Sequence, residues 1–324
     1  MHGSPIFFAK KVIYDCSVET GLEERSLNNI LEVRHLQKTF GKHEVLKDIN
    51  FTVEKGKIVG LLGKNGSGKT TLMKSVIGLL NHSGEVYFEG KLLDVSDTYA
   101  MNRIGVLVDT AFFEDLTAFD NLKILLMSTP HRDNTNIRKD IMEWLAFVGL
   151  EKNARERVKG FSFGMKQRLA LAQALMNEPR LLILDEPFVG LDPLGIVLVK
   201  EKLMELCNEK QVAIIFSSHQ LAEVEELSEE IVVIEEGHVK YFGTYEDLAR
   251  RNKEYRIIVD KPLNDGMLKS LNQKGCEVSG ISENQISLSH GEKTLDPVLT
   301  FLHEKGFTIC EIVREDRPLE NLFV

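Results

Sequence analysis

The sequence predicts an α/β fold, followed by a smaller α+β domain at the C-terminal end of the chain. Four short apolar runs, at residues 58–62, 104–108, 181–184 and 212–216, alternate with helical stretches. Such runs are typical of parallel strands covered on both faces, so a doubly wound sheet is expected. A glycine-rich segment follows the first run directly, and the apolar pattern changes after about residue 249. These three observations define the predicted architecture.

Composition and charge restrict the class of protein. The chain has 324 residues, 43% hydrophobic and 27% charged, which is an ordinary globular composition and long enough for two domains. A net charge of −9 argues against a nucleic-acid partner, which normally requires clustered Lys and Arg. The four cysteines form no C-x-x-C pair, so we expect neither a zinc site nor disulfides, and a reducing cytosol is the expected setting. Apolar runs are only strand length, so no membrane span is predicted.

The N-terminal part divides into two segments. Residues 1–28 are interpreted as an extension, disordered or strand-like, without an assigned function; the apolar stretch within it is too short for a secretory signal. Residues 30–53 roughly alternate between apolar and polar side chains, which predicts half-buried antiparallel strands.

The glycine-rich segment from Gly63 to Thr70 fits the pattern G-x-x-x-x-G-K-[ST]. Its glycines let the backbone curl with N–H groups pointing inward, Lys69 can reach the outer phosphates of a nucleotide, and the Thr70 hydroxyl can hold Mg²⁺. A helix starting near Lys69 adds the positive end of its dipole to the same anion. The alternative is a glycine-rich turn before an ordinary helix. The preceding strand favours the phosphate-binding loop.

Two carboxylates follow the apolar run at residues 181–184. Asp185 can coordinate Mg²⁺, directly or through water. Glu186 points elsewhere and can accept a proton from an attacking water molecule. The alternative is a strand that simply ends in acidic turn residues.

Helical spacing replaces the strand pattern between residues 120 and 177, so we predict a helical insertion at about 110–177. Within it Trp144 is expected in the core rather than at a ligand. Further on, five glutamates lie among residues 223–230, and we interpret them as a solvated helix face rather than a cation site.

The segment 249–324 shows the order β-α-β-β-α-β. The predicted strands are 255–259, 277–281, 285–288 and 307–313, and the predicted helices are 263–273 and 295–304. This order predicts a small ferredoxin-like domain.

Residues 30–244 resemble the nucleotide-binding subunits of ABC transporters. Residues 161–165 (FSFGM) resemble the family signature, and residues 190–193 (GLDP) resemble the D-loop. His219 stands at the switch histidine, Phe40 at the aromatic residue that stacks on adenine, and Asp109 at the Q-loop. The resemblance implies a P-loop NTPase of the ABC ATPase type at residues 29–248, with an antiparallel β subdomain and a helical subdomain.

The resemblance also assigns roles to residues. The predicted ATP-binding residues are Phe40, Gly63, Asn65, Gly66, Ser67, Gly68, Lys69, Thr70, Thr71, Ser162, Gly164 and Asp192. The predicted Mg²⁺ ligands are Thr70, Asp185 and Asp109, and the predicted catalytic residues are Lys69, Glu186 and His219. Taken alone, Ser162 indicates a plain helix N-cap and His219 a structural histidine. Beside the other motifs, both become candidates for contact with the γ-phosphate.

Three residues depart from the family pattern. Asp109 stands where the family has Gln or Glu and is shorter by a methylene, while Phe163 and Met165 replace a small or aliphatic residue and a Gln. We expect these changes to slow hydrolysis without abolishing it. The catalytic set is complete, so an active ATPase is predicted.

The resemblance extends to partners and to biological role. Family subunits close head to tail around ATP, which implies a homodimer, or a heterodimer with a paralogue. An integral membrane permease would hold the dimer at the cytoplasmic face of the membrane. For the C-terminal domain the resemblance implies regulation or dimer contact; the alternative is packing alone. Residues 104–122, 164–167 and 317–323 resemble ATPase subunits of bacterial exporters of the bacitracin and lantibiotic self-protection group. The leading hypothesis is an exporter subunit for a peptide antibiotic, a lipid-linked compound or another amphiphilic cargo.

Two alternatives remain open. An importer ATPase would more often carry a small β-barrel as its accessory domain. A soluble, non-transport ABC ATPase acting on ribosomes or DNA would be expected to have two tandem cassettes or a long coiled coil.

Overall fold

A computed structural model describes residues 28–129, 135–251, 253–263, 266–267, 270–271, 278–282, 284–288 and 291–316. Residues 1–27 of the predicted extension, and the exporter-like tail at 317–323, lie outside the described residues. The described strands form three sheets.

In chain order the strands are β1 (Asn29–Phe40), β2 (His43–Glu54), β3 (Ile58–Leu62), β4 (Ser83–Phe88), β5 (Lys91–Leu92), β6 (Ile104–Leu107), β7 (Leu181–Asp185), β8 (Ala213–Ser217), β9 (Glu230–Glu235), β10 (His238–Thr244), β11 (Lys253–Val259), β12 (Val278–Ser282), β13 (Gln285–Leu288) and β14 (Ile309–Asp316). The helices are α1 (Lys69–Val76), α2 (Thr98–Met101), α3 (Ala118–Ser128), α4 (Ile137–Phe147), α5 (Phe163–Leu175), α6 (Pro193–Lys210), α7 (Leu221–Leu227), α8 (Tyr245–Arg251) and α9 (Gly291–Glu304). None of the described helices is long and apolar enough to cross a bilayer.

The first sheet is antiparallel, with the order β2-β1-β4-β5. Leu31, Val33 and Leu36 of β1 are buried, and intervening residues such as Glu32 are not, so the alternation in the sequence has its expected cause. The antiparallel pairing of β1 with β2 confirms the prediction for residues 30–53. β4 pairs with the other edge of β1 and was not predicted.

The central sheet has the order β10-β9-β3-β8-β7-β6, and only β10 is antiparallel to its neighbour. All five residues of β3 and of β8 are buried, which explains their continuous apolar sequences. The carboxyl ends of β3, β8 and β7 meet at one edge, where Leu61 pairs with Ser217 and Ser217 pairs with Asp185. This register brings the glycine-rich loop, the acidic pair and the His219 loop together.

A helical part, α3 to α5, packs beside the central sheet, as the sequence predicted. Leu122, Leu126, Ile141 and Leu145 are fully buried in its core. Trp144 is partly buried and packs against that core, in agreement with its predicted structural role.

The C-terminal part forms an antiparallel sheet with the order β12-β13-β11-β14 and its own apolar core. Helix α9 lies between β13 and β14 in sequence, and residues 266–267 and 270–271, between β11 and β12, are also helical. Ile257, Ile286, Leu271 and Leu302 are buried between sheet and helices. The predicted ferredoxin-like arrangement is confirmed.

Candidate nucleotide-binding site

The loop between β3 and α1 has a backbone that only glycine accommodates at two of its positions. A Cβ atom at Gly63 would lie 2.4 Å from the carbonyl oxygen of Ile234, and one at Gly68 would lie 2.8 Å from the Leu46 side chain. The φ angle is +153° at Gly63 and +110° at Gly68, values that favour glycine. Gly68 is also the N-cap of α1 and gives it no side-chain cap, so backbone N–H groups of the first turn remain for an anion.

Two polar side chains in this loop are buried without full compensation. Lys69 Nζ donates hydrogen bonds to two backbone carbonyls, at 2.7 Å to Gly63 and 3.3 Å to Lys64. Burial lowers the pKa of Lys69, and the negative charges of Glu186 and Asp185 raise it in part. The buried hydroxyl oxygen of Ser67 has no hydrogen-bond partner among the described residues. A cation and an unused hydroxyl inside a curled loop fit a polyphosphate group.

Asp185, at the end of β7, connects the loop to β8. The Thr70 hydroxyl donates to Asp185 Oδ2 at 2.7 Å, and the Ser217 hydroxyl donates to Asp185 Oδ1 at 2.5 Å. The described residues contain no group of three or more His, Cys, Asp or Glu able to hold a metal ion. Mg²⁺ commonly uses one or two protein ligands together with phosphate oxygens, so the pair of Thr70 and Asp185 fits Mg²⁺ bound with a nucleotide.

Glu186 is held in a left-handed backbone conformation with φ of +51°, which costs roughly 1–2 kcal/mol in a non-glycine residue. Three contacts hold it there. Its N–H donates to Ser217 Oγ at 3.0 Å, its carbonyl accepts from Gln167 Nε2 at 3.1 Å, and its carboxylate lies 2.8 Å from His219 Nδ1. The predicted base and the predicted switch histidine are therefore in direct contact. Ser217 and Gln167 were not singled out from the sequence, because their role depends on this packing.

Asp109 lies near the site but is engaged elsewhere. Its carboxylate forms an ion pair with Lys74 of α1 and is two-thirds exposed. Asp109, Asp185 and Glu186 line one cleft of about 420 Å³. No hydrogen bond joins Asp109 to Thr70 or Asp185 in the described part of the chain. A role in binding Mg²⁺ would require Asp109 to leave Lys74.

The remaining predicted ligands lie at the end of β1, in the loop itself and in α1. Phe40 ends β1 with 48% of its surface exposed, and the Lys38 ammonium is 4.7 Å from its ring centroid. Asn65 is exposed in the loop, Gly66 has a φ of +83°, and Thr71 is half-buried in α1.

The signature and D-loop residues act as helix caps. Ser162 Oγ accepts from Met165 N at 3.3 Å at the start of α5, and Asp192 Oδ1 accepts from Gly195 N at 3.0 Å at the start of α6. Within the described ranges, neither residue forms a hydrogen bond with the loop from Gly63 to Thr70. In this structure both side chains cap the helices that they begin.

The beginning of α5 lies against the segment that precedes α6, because Gly164 and Gly190 are in contact. A Cβ atom at Gly190, where φ is +78°, would lie 2.8 Å from Gly164 Cα. We expect Gly190→Ala to lower the free energy of unfolding by about 1–3 kcal/mol through steric overlap and backbone strain, as measured by urea denaturation.

Gly160→Ala is the matched control, because a Cβ atom there has nothing within 4 Å. Equal unfolding midpoints for the two variants would contradict the close approach of α5 to the D-loop.

The position of the loop defines the class of protein. A phosphate-binding loop follows a central parallel strand, and an acidic strand end lies beside its first helical residues, which is the arrangement of P-loop NTPases. A family model described as ABC transporter matches residues 46–189. The chain is 39% identical over 228 residues to the bacitracin transport ATP-binding protein BcrA of Enterococcus faecalis, covering 70% of this chain and 73% of the relative. It is 31% identical over 307 residues to the linearmycin resistance ATP-binding protein LnrL of Bacillus subtilis (strain 168), covering 91% and 97%.

Solved structures agree with this result. A structure of the ATP-binding subunit of an ABC transporter is similar with a TM-score of 0.64 and 32% identity, over 68% of this chain and 92% of that chain. The dimeric cassette MJ0796, in a post-hydrolysis state bound to ADP and Pi, is similar with a TM-score of 0.61 and 25% identity, over 66% and 98%. The chain belongs to the ABC transporter family, as an ATP-binding subunit with ATPase activity.

Proposed function

We propose that this chain hydrolyses ATP to power an ABC exporter whose cargo is a peptide antibiotic or another amphiphilic compound. The observation that carries the proposal is the match to the linearmycin resistance protein LnrL, which includes 91% of this chain. A match of this length extends beyond the cassette into the C-terminal domain. That domain is an open four-stranded sheet, which favours an exporter over the importer alternative with its barrel-shaped accessory domain.

In this proposal the loop residues bind the triphosphate. Lys69, the Ser67 hydroxyl and the backbone N–H groups around Gly66 contact the outer phosphates, and Asn65 and Thr71 bind beside them. Phe40 stacks on the adenine through its exposed face. Thr70 and Asp185 would hold Mg²⁺, which neutralises phosphate charge when bound. Asp109 joins them only if it leaves Lys74.

Hydrolysis requires a proton acceptor near the γ-phosphate. In this proposal the Glu186 carboxylate accepts a proton from a water molecule while the oxygen of that water attacks the γ-phosphorus. The bond between the γ-phosphorus and the bridging oxygen breaks, and ADP leaves with its electron pair. His219 lies 2.8 Å from that carboxylate and orients it while contacting the γ-phosphate. The contacts from Ser217 and Gln167 support a Glu186 that is positioned before ATP binds.

A second subunit completes each site. Ser162, Gly164 and Asp192 would reach the nucleotide of the partner, either in a homodimer or in a heterodimer with a paralogue. The lack of hydrogen bonds from Ser162 and Asp192 to their own loop, within the described residues, supports this assignment. The dimeric form of the similar MJ0796 cassette supports it as well.

We further propose three functional segments: an extension at 1–28, an ATPase domain at 29–248 with its helical subdomain at about 110–177, and an accessory domain at 249–324. The ATPase domain would attach to an integral membrane permease at the cytoplasmic face of the membrane. No nucleic-acid partner is proposed.

Purification from membranes tests the transport function. The tagged full-length chain, crosslinked in its native cells before detergent extraction, should copurify with a membrane protein of several spans. Recovery of only ribosomes or DNA would favour the soluble ABC ATPase alternative instead.

Loss of resistance tests the cargo class. Cells lacking this chain should become more sensitive to a bacitracin-type, lantibiotic or linearmycin-type compound, and expression of the wild-type chain should restore resistance while expression of the Glu186→Gln variant should not. Unchanged sensitivity to all three classes would contradict the proposed cargo.

A further inference from the structure

The acidic segment after His219 is not uniformly solvated. Glu225 and Glu226 are exposed, as predicted, but Glu223 in the first turn of α7 is only 7% exposed. The prediction of a solvated helix face is wrong for Glu223, which is buried, and for Glu230, which lies in β9 and is half-buried. Burying a carboxylate is unfavourable unless hydrogen bonds compensate, so the partner of Glu223 indicates its role.

That partner is Ser218, the residue directly before His219. The Ser218 hydroxyl donates a hydrogen bond to Glu223 Oε2 and accepts one from Gln220 N at 2.9 Å. The second bond spans His219 and forms a serine-type turn with the histidine at its centre. Because the Ser218 hydroxyl hydrogen points at Glu223, an oxygen lone pair remains directed at the N–H of Gln220.

The turn fixes His219 from its C-terminal side. On its N-terminal side, Ser217 is already bound to Asp185 and to the N–H of Glu186. Two anchored serines therefore precede a histidine whose Nδ1 lies 2.8 Å from Glu186 Oε2. A displacement of the turn would move the imidazole relative to the carboxylate, and misplacement by about 1 Å can reduce rate by about 100-fold.

We propose that Glu223 is a positioning residue for ATP hydrolysis, acting through Ser218 on the orientation of His219 towards Glu186. Glu223 contacts neither nucleotide nor water in this role. The inference rests on the proposed function of His219.

Steady-state ATPase assays on the full-length chain test the role. Glu223→Ala and Ser218→Ala should each lower kcat by about 10- to 100-fold with little change in KM for ATP. Glu223→Gln retains an oxygen that accepts the Ser218 hydrogen bond, so it should restore kcat to within about 3-fold of wild type. Glu225→Ala removes an exposed carboxylate of the same helix and should leave kcat unchanged.

A double variant separates positioning from simple folding support. In a His219→Ala background, Glu223→Ala should change kcat by less than about 2-fold, because the two residues act on the same step. A role limited to capping α7 would instead lower the unfolding midpoint and add its loss of activity to that of His219→Ala. Should Glu223→Ala fail to fold, Ser218→Ala provides the same comparison.

The outcomes distinguish this inference from the proposed function. Reduced kcat in His219→Ala together with wild-type kcat in Glu223→Ala and Ser218→Ala would overturn the role of Glu223 alone. Additive losses in the double variant would also overturn it. Wild-type kcat in His219→Ala would reject the proposed role of His219 and, with it, the role of Glu223.

Discussion

Glu186→Gln should lower ATP hydrolysis by about 10²- to 10⁴-fold while leaving ATP binding intact, because an amide cannot accept the proton of the attacking water. The substitution keeps the size of the side chain and an oxygen near His219 Nδ1. The Lys69 loop is unchanged, so affinity for ATP should remain. Bound ATP should therefore accumulate in a closed dimer. Phosphate release measures the rate, and size-exclusion chromatography with ATP measures the dimer.

Glu209→Gln is a suitable control, since Glu209 is an exposed residue near the end of α6. Undiminished phosphate release by Glu186→Gln would reject Glu186 as the base. Another carboxylate of the cleft, such as Asp109, would then become the candidate.

Lys69→Ala should abolish detectable ATP binding at micromolar concentrations. Lys69 is the buried cation of the loop, and removing one partner of a buried, hydrogen-bonded charge pair typically costs about 2–5 kcal/mol of binding free energy. Asp185 and Glu186 would then face the triphosphate without the opposing ammonium. Nucleotide titration by calorimetry or fluorescence measures the affinity.

Although Lys69→Ala should lose affinity for ATP, its folded state should be no less stable than that of wild type. Burial lowers the pKa of Lys69, so the folded state disfavours the charged ammonium and removing it relieves that cost. The unfolding midpoint without nucleotide should be equal to that of wild type or higher, and the increase on adding ATP should disappear. Lys91→Ala, at an exposed lysine of β5, should retain wild-type affinity. Normal ATP affinity in Lys69→Ala would exclude the loop as the phosphate site.

The sequence predicted those site residues whose position depends on their immediate neighbours in the chain. The loop from Gly63 to Thr70 needs a strand before it and a helix after it, and both can be inferred from neighbouring residues. Asp185 was recognisable because it ends a continuous apolar run. Once both lie on parallel strands, the register of the sheet brings them together.

Contacts between distant elements were not predictable in the same way. Among the five glutamates at 223–230, Glu223 is buried against the Ser218 hydroxyl and Glu230 is half-buried in β9, and no periodicity in so short a segment reveals either. The ion pair of Asp109 with Lys74 joins the segment after β6 to α1, which are far apart in sequence. β4 and the edge strand β10 carry few consecutive apolar residues, so their pairing depends on neighbours that become adjacent only after folding.

Gly164 and Gly190 approach each other through backbone atoms, with no side chain between them to rearrange. Close-packed backbone transmits displacement without slack. A tilt of α5 should therefore also move the beginning of α6. Ser162 and Asp192 should then move together as one rigid unit. In the proposed dimer, both groups would therefore reach the partner's nucleotide together or leave it together.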